Sequence, residues 1–165
     1  MKKIILLFGA IIGAILSSNS IVLMNMMRSN PDYQGNDVLG YATMIIVFSL
    51  IYFGVRNYRN KFLEGKIGLW KAFKIGALIC FTASTVYVVI GLSYYYLFAP
   101  DFIDVYAEYL IRNAAAEHVE AVKTQMANFK EMYSKPMVAT LITYMEVLPL
   151  GLVVAFISAF IVKKN

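Results

Sequence analysis

Four long apolar segments, separated by shorter polar ones, dominate the pattern of hydrophobic and polar positions along the chain. They cover residues 4–27, 38–55, 72–99 and 137–162. A helix needs about 20 apolar residues to cross roughly 30 Å of hydrocarbon, and each segment is close to or above that length. The pattern therefore predicts an all-α fold, an integral membrane four-helix bundle that forms a single domain over residues 1–165.

The composition supports this prediction. The chain has 165 residues, of which 60% are hydrophobic and 15% are charged, and its mean hydropathy is +0.66. A soluble domain normally carries about 25% charged residues, and a chain this short has no interior large enough for the surplus apolar surface. The single cysteine, Cys80, excludes an internal disulfide framework and a cysteine-rich metal site.

The first apolar segment also resembles a signal peptide, because a basic "MKK" precedes "IILLFGAIIGAIL" and a polar "SSNS" follows. The apolar run resumes at once as "IVLMNMM", and no small-x-small cleavage site precedes that continuation. We therefore expect the segment to be retained as the first span.

Lys and Arg residues are distributed unequally between the two sides of the predicted bundle. Ten of the fifteen fall on the side that carries the two chain ends and the loop 56–74, and five fall on the opposite side. By the positive-inside rule, both termini are expected to be cytoplasmic. Because the basic residues lie between apolar runs and not along one polar face, we expect anionic lipid head groups as partners and no nucleic acid.

The loop between the second and third spans is basic and interleaved with aromatic residues. Its candidate lipid or partner contacts are Arg56, Arg59, Lys71, Lys74 and Trp70. Attraction to anionic lipid, at roughly 1 kcal/mol per basic residue, explains the basic residues without further assumptions. The alternative is a docking site for an acidic partner. Trp70 fits the head-group layer, where tryptophan is enriched.

The segment between the third and fourth spans, residues 100–136, is the only sizeable polar one. Val119, Val122, Met126, Phe129 and Tyr133 recur at intervals of three and four residues, which indicates one apolar face of a helix. We expect an extramembrane helical segment here. Its apolar stripe would pack on the bundle, on the bilayer surface, or on a second copy of the chain.

The stretch "TYMEVLPLG" places an acid, Glu146, inside the fourth span. Counted from Met137 at about 1.5 Å per residue, Glu146 lies roughly 15 Å deep, near the midplane of the bilayer. An ionised carboxylate there costs roughly 2.5–3.5 kcal/mol on insertion scales, so such groups usually face the bundle interior, find a partner or stay protonated.

The candidate intramembrane site consists of Glu146, Pro149, Asn19 and Tyr87. Asn19 and Tyr87 are polar residues that helical rise places at depth within the first and third spans. Pro149 has no N–H to donate within the helix and favours a kink beside Glu146. The same arrangement would suit a proton or cation site, or a static strut that fixes the register of one helix.

Small residues at every fourth position mark two of the spans. They are Gly9 and Gly13 in the first span, and Gly151, Ala155 and Ala159 in the fourth. This spacing lets helix backbones approach closely, either within the bundle or between copies.

Standard catalytic and cofactor motifs are absent from the sequence: it contains no HExxH, no GxSxG, no P-loop and no metal-spaced His or Cys pair. We expect a protein that is not an enzyme and has no cofactor, with a structural or accessory role in the membrane. The alternative is an oligomeric proton- or cation-coupled small transporter or pore that uses Glu146. Partners would be the lipid bilayer and either a second copy or another membrane protein.

Three stretches together carry a family resemblance: "GVRNYRNKFLEGKIGLWKAFKIG", "APDFIDVYAEYLI" and "TYMEVLPLGLVVAFISAFIVKK". The chain resembles an uncharacterised family of small four-span membrane proteins, a domain of unknown function found mainly in Bacteroidetes. The likeness runs over nearly the whole chain. It implies the four-span topology, a bacterial cytoplasmic (inner) membrane, and two signatures, Arg56–Arg59 in the basic loop and Glu146, Pro149 and Gly151 in the last span.

Overall fold

A computed structural model describes residues 2–30, 33 and 37–164; the other positions of the predicted domain lie outside the described residues. The all-α fold class is confirmed, and no strand occurs among the described residues. The helices are α1 (Lys2–Ser29), α2 (Asp37–Phe48), α3 (Leu50–Phe62), α4 (Leu69–Phe98), α5 (Phe102–Asn113), α6 (Val119–Tyr133) and α7 (Pro136–Val162), with a short 3-10 turn at Ala116–His118.

Four helical stretches in the described part of the chain are long and apolar enough to cross a membrane: Lys2–Ser29, Val38–Phe62, Leu69–Phe98 and Pro136–Val162. The chain is a multi-pass membrane protein. The last of these stretches, α7, continues unbroken across Pro149.

The second span differs from its predicted form in two ways. A single turn residue, Ser49, separates α2 from α3, but its backbone angles stay helical and its N–H donates to the Ile45 carbonyl at 2.9 Å. The span also continues to Phe62, beyond the predicted end at residue 55, because Val55 and Tyr58 are buried on one face of α3.

The central helix is α4, which packs against α1 on one side and α7 on the other. A Cβ added at Gly9 would lie 2.5 Å from Thr82 Cβ, and one added at Gly13 would lie 2.6 Å from the Ala83 carbonyl oxygen. The glycine pair therefore brings the backbones of α1 and α4 together within a single chain.

The small residues of α7 do the same on the other side of α4. Ala155 lies against Gly76, where an added Cβ would meet the Ala155 Cβ at 3.2 Å. Gly151 leaves just enough room for Cys80 and Phe48, which are both fully buried. Tight packing thus fills the half of the bundle that α3 shares with α4 and α7.

Helices α5 and α6 fold over the other end of the bundle, and we call residues 102–133 the cap. Met126 is 7% exposed and clusters with Tyr95 of α4 and Ile103 of α5. The apolar stripe therefore packs on the chain's own bundle, which is the first of the three predicted alternatives. Lys130 forms an ion pair with Asp104 and joins the two cap helices.

A further contact ties the cap to α1. The Arg28 guanidinium lies 2.9 Å from the Asp101 carboxylate and donates to the Phe98 carbonyl oxygen at 3.1 Å. The start of α5 is therefore held against both α1 and the end of α4.

Candidate functional site

A cavity of about 500 Å³ lies between the spans and the cap. Residues of α1, α4 and α7 form its walls, and residues of α5 and α6 cover it. Most of the lining is apolar or aromatic, including Leu23, Met24, Leu92, Tyr95, Phe129 and Ile142. A volume of about 300–1,000 Å³ with a few polar groups is typical of sites that bind small molecules.

A second cavity, of about 330 Å³, adjoins the first on the side of α2. Gly40, Tyr41 and Met44 contribute its α2 wall, and Asn19 lines it from α1. Five residues line both cavities: Ser20, Leu23, Tyr87, Tyr106 and Glu146. The two spaces therefore meet at Glu146, and we refer to them together as the Glu146 cavity.

The structure brings together three of the four residues predicted for the intramembrane site. Asn19, Tyr87 and Glu146 line the same cavity, although they lie on three different spans. Pro149 is exposed and lines neither space. The Glu146 side chain is exposed although it lies near the middle of α7, because it faces the cavity and not a packed interface.

Among the residues that the structure describes, neither cavity is lined by Lys, Arg or His, so no cationic side chain accompanies Glu146 there. The Tyr87 hydroxyl donates to Ser20 at 3.5 Å, a long hydrogen bond across the cavity wall. The described lining thus offers one carboxylate and several hydroxyl groups inside an apolar and aromatic surface.

Sequence reasoning missed the contribution of the cap to this site. Tyr133, at the end of α6, lies 3.3 Å from the Thr143 hydroxyl. Thr143 already donates to the Ala139 carbonyl, so Tyr133 is the donor in this pair. Tyr133 was visible in the sequence only as the last member of the apolar stripe, and nothing in that pattern placed its hydroxyl next to the fourth span.

Tyr133 keeps its proton at neutral pH. Burial raises the pKa of its hydroxyl above the ordinary value, and the nearby Glu146 carboxylate adds to this shift. The hydroxyl is therefore a neutral donor at the cap side of the Glu146 cavity.

The predicted contacts of the basic loop fall into two groups. Arg59 donates from Nη1 to the Val162 carbonyl at 2.9 Å, which satisfies a carbonyl group at the end of α7. A backbone pairing of Ile67 with Lys164 holds the same two segments together. Arg59 therefore has a structural role within the chain.

The other four predicted contacts of the basic loop are accessible. Arg56 is exposed and lies over the Tyr52 ring of its own helix, with 6.0 Å from Cζ to the ring centroid. Lys71 and Lys74 are exposed, and Trp70 is 74% exposed while its ring contacts Phe73 edge-on. These four side chains are therefore accessible at the surface of the chain.

The two arginines therefore predict different mutational effects. We expect Arg59→Gln to lower the free energy of unfolding by about 1–3 kcal/mol, since it removes a charged donor from a helix-end carbonyl. Arg56→Gln, an identical change at an exposed position, is expected to stay within about 0.5 kcal/mol. Unfolding by SDS in mixed micelles measures both. Equal losses in the two variants would contradict the structural role of Arg59.

Comparison with known proteins places the chain in a family. The family model described as "Protein of unknown function (DUF4199)" matches residues 7–164. The chain belongs to this family. Among curated proteins and among solved structures, nothing matches the chain. The match covers all four membrane helices and the cap, so the Glu146 cavity lies within the DUF4199 region.

Proposed function

We propose that this member of the DUF4199 family is a non-enzymatic accessory membrane protein that binds a small ligand in the Glu146 cavity. The observation that carries the proposal is the position of Glu146, which faces a cavity formed jointly by three spans and the cap. A carboxylate in the middle of a span is energetically costly, and such residues usually mark functional sites. The described lining offers hydroxyl groups and one acid, a set suited to holding a molecule in place.

The proposed location is the bacterial cytoplasmic membrane, with both chain ends in the cytoplasm. Ten of the fifteen Lys and Arg residues on the side of the chain ends support this orientation. The cap and the Glu146 cavity then lie in the outer half. Arg56, Lys71 and Lys74 would contact anionic head groups, and Trp70 would anchor the cytoplasmic boundary.

Partners beyond the lipid are a second copy or another membrane protein, and nucleic acid is not among the proposed partners. An accessory protein of this kind would report or deliver its ligand to a neighbour in the membrane. The exposed cap residues and the loop between α3 and α4 are the polar surfaces available for that contact.

The second candidate function is an oligomeric proton- or cation-coupled small transporter or pore. It is favoured by the fact that Glu146 lines both adjoining spaces. Against it stands the packing of the other half of the bundle, where Phe48, Ile51 and Ile79 are fully buried. A path through that half would require the helices to separate, so a ligand-binding role fits the geometry better.

Access of small molecules to the cavity tests the proposed function. Ser20→Cys, made in a Cys80→Ser background, places a thiol on the wall that both spaces share. Ile12→Cys in the same helix is the matched control, since Ile12 is fully buried. We expect neutral methyl methanethiosulfonate to modify the Ser20→Cys variant at least tenfold faster in nanodiscs, as measured by intact mass. Equal protection of both thiols would contradict a ligand-accessible cavity.

A further inference from the structure

We infer that the ligand of the Glu146 cavity is an organic monocation, an amine or quaternary ammonium that carries apolar substituents. This inference rests on the proposed ligand-binding function and names the chemical class that the site would accept. It follows from three properties of the lining: its charge, its aromatic residues and its scarcity of oxygen ligands.

The charge of the lining comes from a single acid. Glu146 is the only Asp or Glu among the described residues that line the two spaces, and no basic side chain accompanies it there. A charge in a low-dielectric site is tolerated when an opposite charge compensates it. A ligand with one positive charge would compensate the Glu146 carboxylate, because the described lining contributes no cation.

Several aromatic rings line the same cavity as the Glu146 carboxylate. Tyr87 and Tyr95 of α4, Tyr106 of α5 and Tyr133 of α6 all line the larger space. The faces of aromatic rings attract cations, and sites that recognise quaternary ammonium groups commonly combine several such rings. Four tyrosines from three helices therefore favour a positively charged group over a neutral or anionic one.

The same lining is unsuited to a metal ion. Hard cations such as Ca²⁺ take about six to eight oxygen ligands, and no group of three or more His, Cys, Asp or Glu suited to a metal occurs among the described residues. Leu23, Met24 and Ile142 would instead contact the apolar substituents of an organic ligand. The volume of about 500 Å³ leaves room for apolar substituents around a cationic centre.

Equilibrium binding of benzyltrimethylammonium to the full chain tests the inference. The protein is placed in dodecyl maltoside micelles, which carry neither a charge nor an ammonium group, and the tritiated cation is measured by scintillation proximity. Neopentylbenzene, the neutral carbon isostere, and benzylsulfonate, an anion of similar size, serve as competitors. We expect saturable binding of the cation, with at least tenfold weaker competition by either analogue.

Variants at Glu146 show whether the carboxylate is responsible. Glu146→Gln is expected to weaken cation binding at least tenfold, whereas Glu146→Asp, which keeps the charge, retains most of it. Glu117→Gln is the matched control, because Glu117 lies in the cap with a side chain that is 79% exposed; it should bind like the wild type. Size-exclusion profiles and helical content confirm that each variant folds.

The possible failures are distinguishable. If the neutral isostere competes as well as the cation, or if Glu146→Gln binds unchanged, the cationic class is overturned while the cavity remains a binding site. If benzyltrimethylammonium does not bind although Ser20→Cys is readily modified, the cationic class is again overturned. If the thiol at position 20 is also protected, the proposed function fails as well.

Discussion

Replacing Met126 with aspartate is expected to release the cap from the bundle while the four spans stay folded. Met126 is 7% exposed and packs with Tyr95 and Ile103, so a carboxylate in its place would be buried without a partner. Burying an unpaired charge costs several kcal/mol, which is enough to open a local unit. Hydrogen exchange measured by mass spectrometry should accelerate by at least tenfold in peptides from residues 102–133.

Met132→Asp is the matched control in the same helix. Met132 is 40% exposed, so the same substitution there places the carboxylate in contact with solvent. Exchange in the cap should remain close to that of the wild type. If both variants exchange alike, or if Met126→Asp leaves the cap protected, the docking of the apolar stripe onto its own bundle is wrong. The stripe would then be available for a second copy of the chain.

The second large effect is expected at Gly13, where α1 packs directly against the backbone of α4. An alanine Cβ would lie 2.6 Å from both the Ala83 carbonyl oxygen and Val86 Cβ. The carbonyl belongs to a helix backbone and cannot turn away, so the two helices must separate. Overpacking of this kind costs about 1–3 kcal/mol. Gly13→Ala should lower the free energy of unfolding by that amount in an SDS titration.

Gly91→Ala makes the same change in a span without the same contact. Nothing lies within 4 Å of a Cβ added at Gly91, and alanine favours a helix over glycine by roughly 0.5–1 kcal/mol. This variant should be as stable as the wild type or more so. A Gly13→Ala protein that unfolds like Gly91→Ala would show that the α1–α4 interface is looser than described.

Much of the fold followed from simple physical rules. The bilayer demands long apolar helices, and a chain of this composition has few other ways to bury its surface, so the all-α bundle was predictable. Counting helical rise also placed Asn19, Tyr87 and Glu146 at similar depth, and the structure places all three around one cavity.

Other features depend on tertiary contacts that no local pattern encodes. The second span continues to Phe62 because Val55 and Tyr58 are buried against the rest of the bundle, and hydropathy alone ends it at residue 55. Pro149 is predicted as a site residue because it favours a kink beside Glu146, but closeness along a helix does not determine which face two residues share. The tyrosines of the cap reach the site because two helices fold back over the bundle, and their sequence pattern indicates only an apolar face.

The position of Trp70 decides which optical signal can follow this protein. It is the only tryptophan in the chain, 74% exposed, and it lies seventeen residues before Tyr87 on α4. At about 1.5 Å per residue, the indole is roughly 25 Å along the helix from the Glu146 cavity. Its fluorescence will therefore respond to the polarity of the interface at that end of the bundle. It is not expected to change when a ligand occupies the Glu146 cavity. Tyrosine emission, quenched or shifted by an occupant beside Tyr87 and Tyr133, is the intrinsic reporter of occupancy.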